Sequence, residues 1–203
     1  MSLITLVSEL ETHQVVLKQT IDQTADDIEK IANAIIRCFQ QGNKLLICGN
    51  GGSAADAQHV AGEFVNRYRY DHAALPAIAL TTDSSILTCI SNDSTFENIY
   101  SRQVEALGKP GDILVGISTS GGSPNIHKAL DIARALGLTT VAFTGEKGRE
   151  KLASKCDLSL VIPSSDTPRI QESHIFVWHV ICDVVERTLF PKSGEDIRKN
   201  DQD

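Results

Sequence analysis

The stretch Lys44-Leu-Leu-Ile-Cys-Gly-Asn-Gly-Gly-Ser53-Ala-Ala-Asp-Ala-Gln-His59-Val-Ala-Gly-Glu63 runs from an apolar segment through a glycine turn into a helix-forming segment. The unbroken apolar run at 44–48 suits a parallel strand covered on both faces. Gly49, Gly51 and Gly52 let the backbone bend sharply and approach an anion, toward which the free N–H groups of the next helix point. This strand–loop–helix unit predicts an α/β fold.

The rest of the chain repeats the unit. Short apolar runs at 76–80, 112–117, 139–143 and 158–162 alternate with helix-like segments at about 53–66, 84–106 (broken near Ser94), 123–136, 147–154 and 168–189. The alternation predicts a doubly wound, five-stranded parallel sheet flanked by helices, occupying residues 42–192. Residues 1–41 contain no strand. Their apolar positions, Leu3, Leu6, Leu10, Val15, Leu17 and Ile21, then Ile28, Ile31, Ile35 and Ile36, predict two amphipathic helices packed on the sheet domain or on a neighbouring subunit. A charged tail, 193–203, is expected to be mobile.

Composition narrows the function classes. A net charge of −7 argues against a nucleic-acid-binding surface. No apolar run is long enough to cross a bilayer, and the first residues have no secretory pattern, so a cytoplasmic protein is expected. The five cysteines are odd in number, far apart and without a C-x-x-C pair, which suits reduced thiols.

The glycine loop has an echo in Ser118-Thr-Ser-Gly-Gly-Ser123-Pro-Asn, again between a strand and a helix. Two such loops at the carboxyl edge of one sheet predict a ligand site there. Ser53 and Ser123 are expected to cap their helices, with Pro124 in the first turn. The hydroxyls of Ser118, Thr119 and Ser120 add to the amides as a grip for a phosphate monoester. Nucleotides fit less well: Gly49-x-Gly51-x-x-Ala54 has no acidic residue at the dinucleotide distance, Asp83 lying too far along, and no G-x-x-x-x-G-K-[ST] occurs. A small phosphorylated metabolite is expected, and no nucleotide.

His59 and Glu63 share one helix face within about 10–15 Å of the expected anion, by helix rise. The last helix carries Arg169-Ile-Gln171-Glu172-Ser-His174, followed by His179. Gln171 and His179 lie about 12 Å apart along a straight helix. Joint use of both requires a bend, converging side chains or a second subunit. Asn92-Asp93 offers an amide and a carboxylate for hydroxyl recognition, or an Asx turn between helices.

Taken together, Gly49 to Ser53, Asp56 to His59, Glu63, Asn92-Asp93, Gly116 to Ser123, and Arg169 to Glu172 with His179 resemble the sugar isomerase (SIS) domain family over nearly the whole chain. The resemblance implies an aldose–ketose isomerase converting sedoheptulose 7-phosphate into the glycero-manno-heptose 7-phosphate through an enediol. It also implies a homotetramer with active sites at subunit interfaces, and Zn²⁺ held by His59, Glu63, Gln171 and His179. Implied substrate contacts are Asn50, Gly51, Gly52, Asn92, Asp93, Ser118, Thr119, Ser120 and Ser123, with Glu63 and Gln171. Glu63 and His179 match the family's acid–base pair. The segments 79–83 and 188–191 also resemble a non-catalytic member that binds the bacterial replication initiator. That member lacks the counterparts of Glu63 and His179, and their presence here favours the enzyme.

Overall fold

The structure is a computed structural model in which residues 3–191 are described; the expected tail at 193–203 lies outside them. Five parallel strands form one sheet: β1 (Leu45–Gly49), β2 (Ala77–Ala79), β3 (Ile113–Ser118), β4 (Thr139–Gly145) and β5 (Leu158–Ile162). Their spatial order is β2-β1-β3-β4-β5, with Gly49 opposite Ile117 and Ser118 opposite Thr144. All the expected strands are present, each within two residues of its expected limits.

Alternate side chains of the inner strands β1, β3 and β4 enter different layers. Leu45, Ile47, Val115, Ile117, Val141 and Phe143 face α1 (Leu3–Gln40), α2 (Gly52–Val65) and α6 (Thr167–Leu189). Leu46, Cys48, Leu114 and Ala142 face the opposite layer, which holds Ile99, Tyr100, Val104 of α4 (Ser101–Leu107) and Ile126, Ala129, Leu130 of α5 (Pro124–Ala135). A strand apolar on both faces follows directly from this double covering.

The two amphipathic helices expected before residue 41 are one helix of 38 residues. No glycine or proline interrupts 3–40. Around the lapse between the two apolar sets, Thr20 and Thr24 are buried and return their hydroxyls to the carbonyls of Val16 and Thr20 (2.8 and 2.7 Å). Such back-bonding satisfies a buried hydroxyl without leaving the helix. The carboxyl half, with Ile31, Ile35 and Phe39, enters the core, while Leu3, Ile4, Leu6 and Leu10 are exposed.

The helix break near Ser94 is observed: α3 (Ser84–Asp93) ends at Ser94, and a 3₁₀ turn at Phe96–Asn98 leads to α4. The helix expected at 147–154 is instead two 3₁₀ turns, Glu146–Gly148 and Ala153–Lys155. Gly148 packs so closely on Thr144 and Gly121 that no Cβ fits there, and a glycine-containing segment this short does not sustain a helix.

Candidate active site

In a sheet of order 2-1-3-4-5 the connections leave β1 and β3 in opposite directions, which opens a crevice beyond their carboxyl ends. Both Gly-Gly-Ser loops lie at this crevice, one after β1 and one after β3. The first starts from Gly49, whose carbonyl accepts the buried Tyr100 hydroxyl (2.5 Å). Gly51 then takes a positive φ of 57° and becomes the residue before α2. That turn starts α2 earlier than expected, so Ser53 lies inside the helix, buried, and no side chain caps it. In the second loop Ser123 does occupy the cap position with Pro124 behind it, but no capping bond forms. Its hydroxyl pairs with that of Ser118 instead (3.0 Å).

The second loop is fixed to its neighbours. Thr144 Oγ1 donates to the Ser118 carbonyl (2.7 Å), and the Gly145 amide donates to the Thr119 carbonyl (3.0 Å). Ser120 Oγ accepts from the Gly122 amide (3.3 Å), and His127 Nε2 lies 2.8 Å from the Gly121 carbonyl. Gly121 has a φ of 66° and touches Gly148, so the turn requires glycine there.

The proton-carrying groups stand where α2 and α6 pack side by side. His59 Nε2 is 2.9 Å from His179 Nε2 and 3.2 Å from Glu63 Oε1. One ligand atom from each of these three residues lies within 4.8 Å of the others. The His179 ring stacks on Tyr68 at 5.6 Å, and the Arg69 guanidinium lies over the Tyr68 ring, 5.0 Å from its centroid. Burial, then the neighbouring His59 and Arg69, hold the His179 pKa below the ordinary imidazole value against the opposing pull of Glu63. A neutral imidazole suits both proton acceptance and metal ligation.

Of the four residues offered for a metal, three converge within this one chain. Two imidazoles and a carboxylate are a donor set that zinc takes, with a position left for a further ligand. Gln171 lies elsewhere, its side chain against Gly52 at the start of α2, about 10 Å of helix rise from His59. Asn92 and Asp93 are exposed at the end of α3, where Asn92 donates to the Asp93 carboxylate (2.9 Å). Asp93 borders a shallow cavity with Cys89, Ile90, Ser94, Asn98 and Arg102, whose lining includes neither loop and none of the three clustered residues.

Several contributors escaped the reading of the sequence. Asn125, buried, exchanges hydrogen bonds with Asn50. Glu186, also buried, accepts the amides of Arg69 and Tyr70 at 2.8–3.0 Å and so fixes the segment that carries Tyr68. A buried carboxylate in an apolar helix was the available signal for Glu186. The pairing of Asn50 with Asn125 spans 75 positions and depends on the strand order.

Comparison with known proteins gives a consistent result. Residues 10–145 match the SIS domain family. A phosphoheptose isomerase of Trichlorobacter lovleyi is 51% identical over 185 residues, covering 91% of this chain and 94% of its own length. A solved phosphoheptose isomerase structure from Francisella tularensis superposes with a TM-score of 0.87 at 35% identity, covering 92% of this chain and 99% of that one. One from Neisseria gonorrhoeae superposes with a TM-score of 0.83 at 38% identity, covering 90% and 97%. The chain therefore belongs to the SIS domain family and, within it, groups with the phosphoheptose isomerases.

Proposed function

We propose that this isomerase interconverts sedoheptulose 7-phosphate and D-glycero-D-manno-heptose 7-phosphate through an enediol. The observation that carries the reading is the convergence of His59, Glu63 and His179 from two helices, one of which, α2, begins at the switch-point crevice. Moving a proton between neighbouring carbons needs a base at carbon and a second group for the oxygens. Glu63, half-buried, takes the carbon-bound proton. His179, whose pKa burial and the neighbouring His59 lower, exchanges the oxygen proton. The Ser118–Ser123 loop holds the phosphate away from the reacting carbons, where it orients the substrate without taking part in proton transfer. His59, Glu63 and His179 would hold Zn²⁺, which supplies Lewis acidity toward a carbonyl oxygen when bound.

Assembly as a homotetramer with interface active sites belongs to the same proposal. An apolar groove of about 350 Å³ between α1 and α6 is bordered by Ile21, Ile28, Phe176, Val180 and Val184, several of them exposed in the single chain. Turnover of sedoheptulose 7-phosphate by purified protein tests the reaction, with Glu63→Gln and His179→Gln as variants. Loss of about 10²–10⁴-fold in kcat is expected for each. Unchanged rates in either variant remove that residue from the chemistry. Absence of turnover together with co-purification of a replication initiator would favour the non-catalytic reading.

A further inference from the structure

The two loops at the crevice rise from adjacent strands, and each is tied back to its own surroundings: the first through Tyr100 at Gly49, the second through Thr144, Gly145 and His127. Between them runs a reciprocal amide pair. Asn50 Nδ2 donates to Asn125 Oδ1 at 2.9 Å, and Asn125 Nδ2 donates to Asn50 Oδ1 at 2.9 Å. Asn125 is 1% exposed, and its Oδ1 also accepts the Ile126 amide (3.0 Å) at the start of α5. Two hydrogen bonds across one pair of planar amides fix both their distance and their rotation. The Asn50 side chain is thus set by Asn125, with one N–H and one lone pair left over.

We infer that Asn125 is a positioning residue that acts through Asn50, setting the spacing between the two loops. The inference rests on the functional reading above, in which the second loop grips a phosphate; the first loop, which opens the helix carrying His59 and Glu63, then faces the other end of the same molecule. A substrate held at both ends is sensitive to that spacing. An anion held at one end is not.

The test compares Asn50→Ala, Asn125→Ala and the double variant in steady-state kinetics with sedoheptulose 7-phosphate, with inorganic phosphate as competitive inhibitor. Asn125→Ala is expected to raise KM about tenfold, the range for loss of two neutral hydrogen bonds, and to move the phosphate inhibition constant by less than about twofold. In the Asn50→Ala background the same substitution is expected to change nothing further, because its route of action is already gone. Losses that multiply, an equal rise in KM and in the phosphate constant, or unaltered kinetics in Asn125→Ala each overturn the inference. Should the alanine variant fail to fold, Asn125→Ser retains a hydroxyl for the Ile126 amide but cannot span to Asn50, and the same comparison applies. If the wild-type protein turns over no ketose phosphate, the functional reading falls on its own. The link between the loops is then read by amide hydrogen exchange at residues 51–54, which accelerates in Asn125→Ala if the link exists and stays unchanged if it does not.

Discussion

His174 gives a prediction that can be worked through in numbers. Its side chain is fully buried on the inner face of α6, with the ring 5.6 Å from that of Phe143. Nδ1 has no hydrogen-bond partner among the described residues, and Nε2 reaches the Thr144 carbonyl only at 3.4 Å. Burial lowers its pKa to about 4, against about 6.5 for an unfolded histidine. Between those values the unfolded chain takes up a proton that the native chain refuses, so stability falls as pH falls and levels off below the folded value. The loss from this group is about 1.4 kcal/mol at pH 5.5 and about 3 kcal/mol at pH 4, relative to pH 7 or above. Urea unfolding at fixed protein concentration, at pH 7, 5.5 and 4, should show this dependence in the wild type. His174→Leu should show that much less acid sensitivity. At pH 7 the leucine variant should differ by no more than about 1 kcal/mol, since only a long hydrogen bond is lost. Parallel stability-against-pH curves for the two proteins would refute the reasoning.

Three further predictions concern the site and its supports. Gly52→Ala places a Cβ on the Gln171 amide, a flexible group that can swing aside, so kcat/KM should fall at least about tenfold while the melting temperature moves little; a large stability loss with normal kinetics in the folded fraction would contradict this. Glu186→Gln keeps one oxygen for the Arg69 and Tyr70 amides but sets an NH2 group against the Arg69 N–H in place of the second oxygen, and should destabilise by about 1–2 kcal/mol in urea unfolding. Removal of metal with a chelator should lower isomerase activity, and Zn²⁺ should restore it in the wild type but not in His59→Ala; full activity in protein shown by elemental analysis to be metal-free would exclude a metal requirement.

The sheet was legible because its inner strands are covered on both sides and so write themselves as apolar runs, as at 44–48 and 112–117. The two loops were legible because a sharp turn and an anion-facing amide both demand glycine. Helix α1 reads as two because its apolar positions lapse between Ile21 and Ile28, around which the buried Thr20 and Thr24 satisfy their hydroxyls within the helix and carry it through. Likewise the early start of α2 depends on the positive φ at Gly51, which displaced Ser53 from its expected capping role. The pairings of Asn50 with Asn125 and of Gln171 with Gly52 had no local signature, since each is set by which strands and helices become neighbours.

The side-by-side packing of α2 and α6 has a mechanical consequence. Seven residues separate Gly52 from His59 and eight separate Gln171 from His179, so the two helices run in the same direction and mesh at both points. A slip of α6 by one turn along its neighbour would bring Ile175 or Phe176 opposite His59 in place of an imidazole. The clustered histidines and Glu63 are therefore set like teeth on two racks, and substitutions that shift one rack by an ångström should disturb the proposed chemistry from well outside the crevice.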